Sequence, residues 1–304
     1  MMQQSNLPKQ QPEQQSGQPQ NSPKTPLGIL AGNGSLPLYI AERTKKAGRD
    51  VFIVGIEGTA SKEIENYPHQ WVKWGEVDKL FNTLKKENVE QILFIGGVSR
   101  PEFKNIHFDF GMIRNLRFVF SLTMGGDDTI LTNIVNFVEK KGLQIVGAHE
   151  VAPELTADGG TFTKKKPSKI DRKDIQKGIK TVLSLGEMDI GQGAIVAREY
   201  VLCVEAAEGT DNMLKRAKGL RQWGKGWLNK RHGVLVKLPK PNQELRIDMP
   251  TIGPKTIELV ADAGLNGIAI VENKVLISEK QKTIDLANQL GVFIIGLKEE
   301  ELNV

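Results

Sequence analysis

The run Leu27-Gly28-Ile29-Leu30-Ala31-Gly32-Asn33-Gly34-Ser35-Leu36-Pro37 reads as a short buried strand, a glycine turn and the opening of a helix. Proline suits the first helical turn because the N–H it lacks has no intrahelical partner there. Gly48 closes the helix. The alternation then repeats: strands are expected at 51–56, 91–95 and 143–146, with helices at 77–86, near 112–124, and from Asp127 or Asp128 to Gly142. Strands separated by helical spacers pair in parallel. The N-terminal domain is therefore expected to be a Rossmann-like parallel α/β sheet. Its ligands should sit beyond the carboxyl ends of the strands, which places the turns at Gly32, Gly96 and Gly147 on one edge.

Upstream, residues 1–26 are rich in Gln and Pro with few branched apolar residues, too little to offset ordering entropy, and read as a disordered tail. Downstream, the stretch from Thr156 to Lys169 turns to Gly, Thr and Lys and reads as a linker, placing a domain boundary near residue 165. After it come a helix from Asp171 to Leu185, strands through Ile195 and Leu202, a basic helical stretch, strands near Val234 and Leu245, and an α/β segment from Thr256 to Gly296. The expected organisation is a tail (1–26), a Rossmann-like domain (27–165) and a C-terminal α/β domain (166–304).

At 304 residues and 39% hydrophobic, the chain can fill two cores. Its one cysteine, Cys203, lies inside the apolar run Tyr200-Val201-Leu202-Cys203-Val204. That excludes an internal disulfide and suits a reducing cytoplasm. No apolar stretch approaches the ~20 residues of a spanning helix, and no signal-peptide core stands at the N-terminus. A net charge of +5 favours anionic partners. Between Asn212 and Gln243 there are nine Lys or Arg and no Asp or Glu, with Trp223 and Trp227 on one helical face. Such a segment suits an anionic membrane interface. A nucleic-acid contact and a solvated helix with buried Trp remain as alternatives.

Several mechanisms are absent. His69, His107, His149 and His232 are scattered, with no zinc-ligand spacing, no Walker loop and no nucleophile elbow. Five segments carry candidate chemistry. Gly32, Asn33 and Gly34 form a turn whose N–H groups and helix dipole suit a phosphate; with Glu57 after the second strand it also resembles a dinucleotide fingerprint, although Pro37 opposes close packing. Gly97 lets a ligand approach the main chain and Arg100 offers a bidentate phosphate contact; a plain loop is the alternative. Asp127 and Asp128 start a helix, where one can cap and the other hold a metal ion. Glu205 is embedded among apolar residues, a costly site unless paired; Thr210 or Asp211 is then the helix cap. From Lys237 to Pro254, Lys237, Gln243, Arg246, Asp248 and Thr251 are candidates, with Glu244, Arg246 and Asp248 on one face of an extended chain. Such a face could clamp a phosphate beside Mg²⁺ or a water; a surface ion pair is the alternative.

Taken together and in order, LGILAGNGSLP, GGVSRP, GDDTIL, GAHEV, MDIGQGAIV, VEAAEGTDNML and RIDMPTIGP resemble the alpha-proteobacterial type of UDP-2,3-diacylglucosamine pyrophosphatase, from about Leu27 to Gly296. The resemblance implies two domains with the lipid ligand between them and a requirement for Mg²⁺. It implies water attack at the α-phosphorus of a lipid-linked UDP-sugar, giving UMP and lipid X for lipid A synthesis. Asp248 is the catalytic residue it points to, with Glu205 and Asp128 as further catalytic candidates and Asp248 and Asp128 as metal ligands. The expected location is cytoplasmic, peripheral on the inner membrane, with no nucleic-acid partner. A nicotinamide-dependent oxidoreductase and a non-enzymatic RNA-binding module are the rival readings.

Overall fold

The computed structural model describes residues 25–97, 127–220, 231–241 and 243–303. Its first sheet contains β1 (Leu27–Ala31), β2 (Val51–Ile56), β3 (His69–Val72), β4 (Gln91–Ile95) and β5 (Gln144–Ile145), in the order β3-β2-β1-β4-β5. All neighbours are parallel, as the alternating pattern predicts. Both faces are covered, which explains the unbroken apolar strands. Ile29, Ile53, Leu93 and Ile95 pack with Ile40 and Ala41 of helix Leu36–Lys46. Phe52, Val54 and Ile92 pack on the other face with Leu84 of helix Val77–Lys86 and Val135 and Val138 of helix Asp127–Lys140. The helix expected near 112–124 lies outside the described residues.

The second sheet contains β6 (Gly160–Thr161), β7 (Gly193–Ala197), β8 (Tyr200–Val204), β9 (Val234–Lys237), β11 (Gly267–Val271) and β13 (Phe293–Leu297). Its order is β6-β13-β11-β9-β7-β8, with β9, β11 and β13 parallel and the remaining pairings antiparallel. Strand residues alternate between its faces. Val234 and Val236 meet Ile175, Ile179 and Val182 of helix Lys169–Glu187. Leu235 faces Met213 and Leu214 of helix Gly209–Leu220 and Ile257 and Val260 of helix Pro254–Asp262. Cys203 is a buried strand thiol, as expected, and burial raises its pKa.

The linker reading of 156–169 needs one correction: Gly160–Thr161 forms a short strand paired with β13, so this stretch already belongs to the second sheet. A small parallel pair, β10 (Thr251–Ile252) with β12 (Leu276–Ile277), joins the two halves. Leu276 and Met249 pack into the core of the first sheet, and Ile247 packs against the cluster on its other face. The domains are thus welded through residues 247–277.

Candidate active site

At the carboxyl edge of the first sheet the turns after β1 and β4 are clasped. Gly32 N–H donates to Ile95 O at 2.8 Å, and Asn33 and Gly97 exchange main-chain hydrogen bonds of 2.8 and 2.9 Å. A Cβ on Gly32 would lie 2.7 Å from Gly97 O, so Gly32 is glycine for close packing. Gly34, at φ +102°, occupies the left-handed region, where a side chain is strained. Asn33, Gly34 and Ser35 are exposed, ahead of the helix that Ser35 starts without a side-chain cap. That leaves a solvent-facing N-terminus of the kind that takes phosphate. Glu57 lies exposed just beyond β2.

The segment carrying Asp248 crosses onto this same edge. A Cβ on Gly147, just after β5, would come within 3.3 Å of the Arg246 Cα. Here the structure corrects the sequence reading: residues 245–247 form a turn, not a strand, closed by hydrogen bonds from Ile247 N and Asp248 N to Glu244 O. The period-two face of Glu244, Arg246 and Asp248 therefore does not exist. The physical reason is a local ion pair: Arg246 Nε and Nη2 grip the two Glu244 oxygens at 2.9 and 2.7 Å, folding the chain back on itself. Arg246 Nη1 also reaches Glu139 of the first domain at 2.9 Å. Hydrogen bonding from Arg246 holds the Glu244 carboxyl below the usual carboxylate range, and Arg246 is correspondingly raised. The Arg246 guanidinium thus serves as an interdomain clamp.

Asp248 itself is half-buried. Gln243 Nε2 donates to its Oδ2 at 2.6 Å and lies 2.7 Å from its carbonyl oxygen. At the edge of the second sheet where β8 and β9 end, buried Glu205 and Lys237 flank the half-buried Thr210. Thr210 Oγ1 donates to Glu205 Oε1 at 2.8 Å and accepts from Lys237 Nζ at 2.6 Å. Lys237 Nζ is 3.7 Å from Glu205 Oε2, a buried oxygen with no hydrogen-bond partner among the described residues. The pairing expected of a buried Glu205 is present. Thr210 and Asp211, however, lie inside the helix, which starts at Gly209, and do not cap it; the Thr210 hydroxyl is drawn to Glu205 instead. Asp211 pairs with Lys255 at 2.6 Å, and Thr251 Oγ1 donates to Met249 O at 3.1 Å.

The two groups meet at the start of β7. Gln192 Oε1 lies 3.2 Å from Gln243 Nε2, while a Cβ on the adjacent Gly193 would be 2.4 Å from Glu205 Oε2. Gln192, Asp189 and Lys240 were missed as site residues. The only signal was their position in the string MDIGQG and between two prolines, and their role depends on contacts 51 residues away. His149 also belongs to this edge: its ring abuts Gly147, and its buried Nδ1 has no hydrogen-bond partner among the described residues. Asp127 and Asp128 open their helix, as expected. Their side chains, with Arg100, Trp223 and Trp227, lie outside the described residues. Among the described residues no cluster of three or more His, Cys, Asp or Glu gathers to hold a metal ion.

Residues 26–155 match a family described as the LpxI N-terminal domain, and residues 158–295 match the LpxI C-terminal domain. Among curated proteins, a UDP-2,3-diacylglucosamine pyrophosphatase LpxI of Caulobacter vibrioides is 38% identical over 275 residues, covering 90% of this chain and 98% of the relative. Among solved structures, a GalE-like L-threonine dehydrogenase of Cupriavidus necator is 10% identical at a TM-score of 0.31, covering 91% of this chain and 87% of its own. A partial consensus L-threonine 3-dehydrogenase reaches a TM-score of 0.25 at 13% identity, over 39% of this chain and 34% of its own. Likeness at that level supports no statement about activity.

Proposed function

The chain belongs to the LpxI family through both of its domains, and we propose that it hydrolyses the pyrophosphate bond of UDP-2,3-diacylglucosamine. The observation that carries this reading is the 38% identity to a pyrophosphatase of that name across 98% of the relative's length. In the proposed reaction a water oxygen bonds to the α-phosphorus as the bridging P–O bond breaks. The nucleoside leaves as UMP, and the bridging oxygen leaves with the diacylglucosamine 1-phosphate, lipid X. This reading takes the place of the oxidoreductase and RNA-binding alternatives.

Asp248 is the proposed catalytic residue, because it is an acid held by a buried neighbour at the seam where the two domains meet. The glycine turn at Gly32, Asn33 and Gly34, with Gly97 beside it, is proposed to receive the nucleotide phosphates on main-chain N–H groups. Arg100, Asp127 and Asp211 are proposed further substrate contacts. Glu205, Thr210 and Lys237 form the wall of the site on the second sheet. Mg²⁺ prefers oxygen ligands and is commonly held by one or two carboxylates together with substrate phosphates. Asp248, whose carboxylate is half-buried at the interdomain seam, and Asp128 are the proposed protein ligands. When bound, the ion would neutralise charge on the pyrophosphate. Arg246 is already engaged by two carboxylates, so its proposed role is to fix the Asp248 segment.

No helix among the described residues is long and apolar enough to cross a membrane. Peripheral association on the cytoplasmic face, through the basic segment that contains Trp223 and Trp227, is proposed as the route to a lipid substrate. The test of the reaction is UMP release from the lipid nucleotide with Mg²⁺ and with the metal chelated. UMP appearing only with Mg²⁺ supports the whole reading, and no UMP under either condition overturns it.

A further inference from the structure

The geometry points to Gln243 as a positioning residue for Asp248 and not as a contact for substrate. Its amide nitrogen has two hydrogens and three oxygens within reach: Asp248 Oδ2 at 2.6 Å, Asp248 O at 2.7 Å and Gln192 Oε1 at 3.2 Å. Its amide oxygen accepts from Lys240 N at 2.9 Å. Every polar atom of the side chain is therefore spent inside the protein, and the residue is only 9% exposed. A side chain so occupied has no donor left for a phosphate.

The loop that carries Gln243 is itself anchored. Buried Lys240 Nζ forms an ion pair with half-buried Asp189, and Gly186, in the last turn of helix Lys169–Glu187, has no side chain where Pro241 and Lys240 press against it. The chain of support runs from that helix through the loop to Gln243 and on to one carboxylate oxygen. Gln243 holds Asp248 through both its carbonyl and its Oδ2, which restricts rotation of the carboxylate. A carboxylate that must orient water or a cation loses rate steeply when it drifts by an ångström. Gln243 would prevent that drift.

The inference rests on the reading of Asp248 as catalytic. Its test uses the full chain and compares Gln243→Met, Gln243→Glu and Asp248→Asn with wild type by kcat and KM for UMP release and by thermal melting. For Gln243→Met the expected result is a kcat lower by roughly tenfold or more with KM nearly unchanged, the pattern of an interaction needed only in the transition state. Gln243→Glu keeps the size but replaces the donating amide with an acceptor, so it should lose kcat as Gln243→Met does with KM nearly unchanged, a split that a purely structural residue would not cause. A raised KM with unchanged kcat would make Gln243 a substrate contact and overturn the inference. So would a kcat matching wild type in folded Gln243→Glu. If Asp248→Asn itself retains full turnover, the reading of Asp248 falls instead.

Discussion

Asn33 and Gly97 exchange two main-chain hydrogen bonds, 2.8 and 2.9 Å long, so that the turns ending β1 and β4 form one continuous rim. The rim separates two kinds of glycine. Gly32 has backbone where a Cβ would go, whereas a Cβ on Gly97 meets nothing within 4 Å. Gly32→Ala should therefore lower the melting temperature, with a loss on the order of 1–3 kcal/mol from overpacking. Gly97→Val should melt within a few degrees of wild type yet release little UMP, because its side chain would block the proposed approach of a phosphate to the rim. A folded and fully active Gly97→Val would remove that rim from the binding site.

Lys237 and Glu205 are a buried pair with Thr210 between them. Removing Lys237 alone strands a buried carboxylate, which costs about 3–5 kcal/mol. Lys237→Met should accordingly unfold at much lower denaturant. The double variant Lys237→Met with Glu205→Gln should recover most of that loss, since no charge is left unpaired. Equal destabilisation of the single and double variants in urea melts would show that the pair is not coupled.

Arg246 fastens the Asp248 segment to Glu139 of the first domain and to Glu244 beside it. Losing these charge-assisted bonds in Arg246→Met should cost about 1–3 kcal/mol. The pH dependence has a definite sign. Glu244 is depressed by hydrogen bonds from Arg246, so its stabilisation is present above the ordinary carboxylate range and is lost as pH falls through the depressed value. Arg246→Met should therefore lose less stability than wild type on acidification. Melting curves across the acidic range check this, and parallel curves for the two proteins would contradict it.

The basic segment between Asn212 and Gln243 should bring the chain to anionic vesicles at low salt and release it at high salt. Charge reversal at Lys225 and Lys230 should abolish co-sedimentation without changing melting. Sedimentation that ignores both salt and these two changes would argue against electrostatic docking.

Strands β1, β2, β4 and β5 of the first domain were legible because each is short, apolar and punctuated by glycine or proline; β3, His69–Val72, was not, because its mostly half-exposed residues carry no strand pattern and only its pairing with β2 makes it one. The turn at 245–247 was not, since alternating polar and apolar residues from Glu244 to Asp248 read as strand until the Arg246–Glu244 ion pair bends them. Asp248 and Glu205 stood out as acids among apolar or proline-fixed neighbours. Gln192, Asp189 and Lys240 did not, because what makes them part of the site is a set of contacts across 51 residues that no local pattern encodes.

The most direct test is turnover by Asp248→Asn, measured beside lipid-nucleotide binding and thermal melting. Asparagine keeps the shape of the side chain but removes the charge that the role proposed for Asp248 requires. UMP release should fall by a factor on the order of 10²–10⁴, with melting within a few degrees of wild type and substrate binding retained. Near-wild-type turnover in a folded Asp248→Asn would contradict the account.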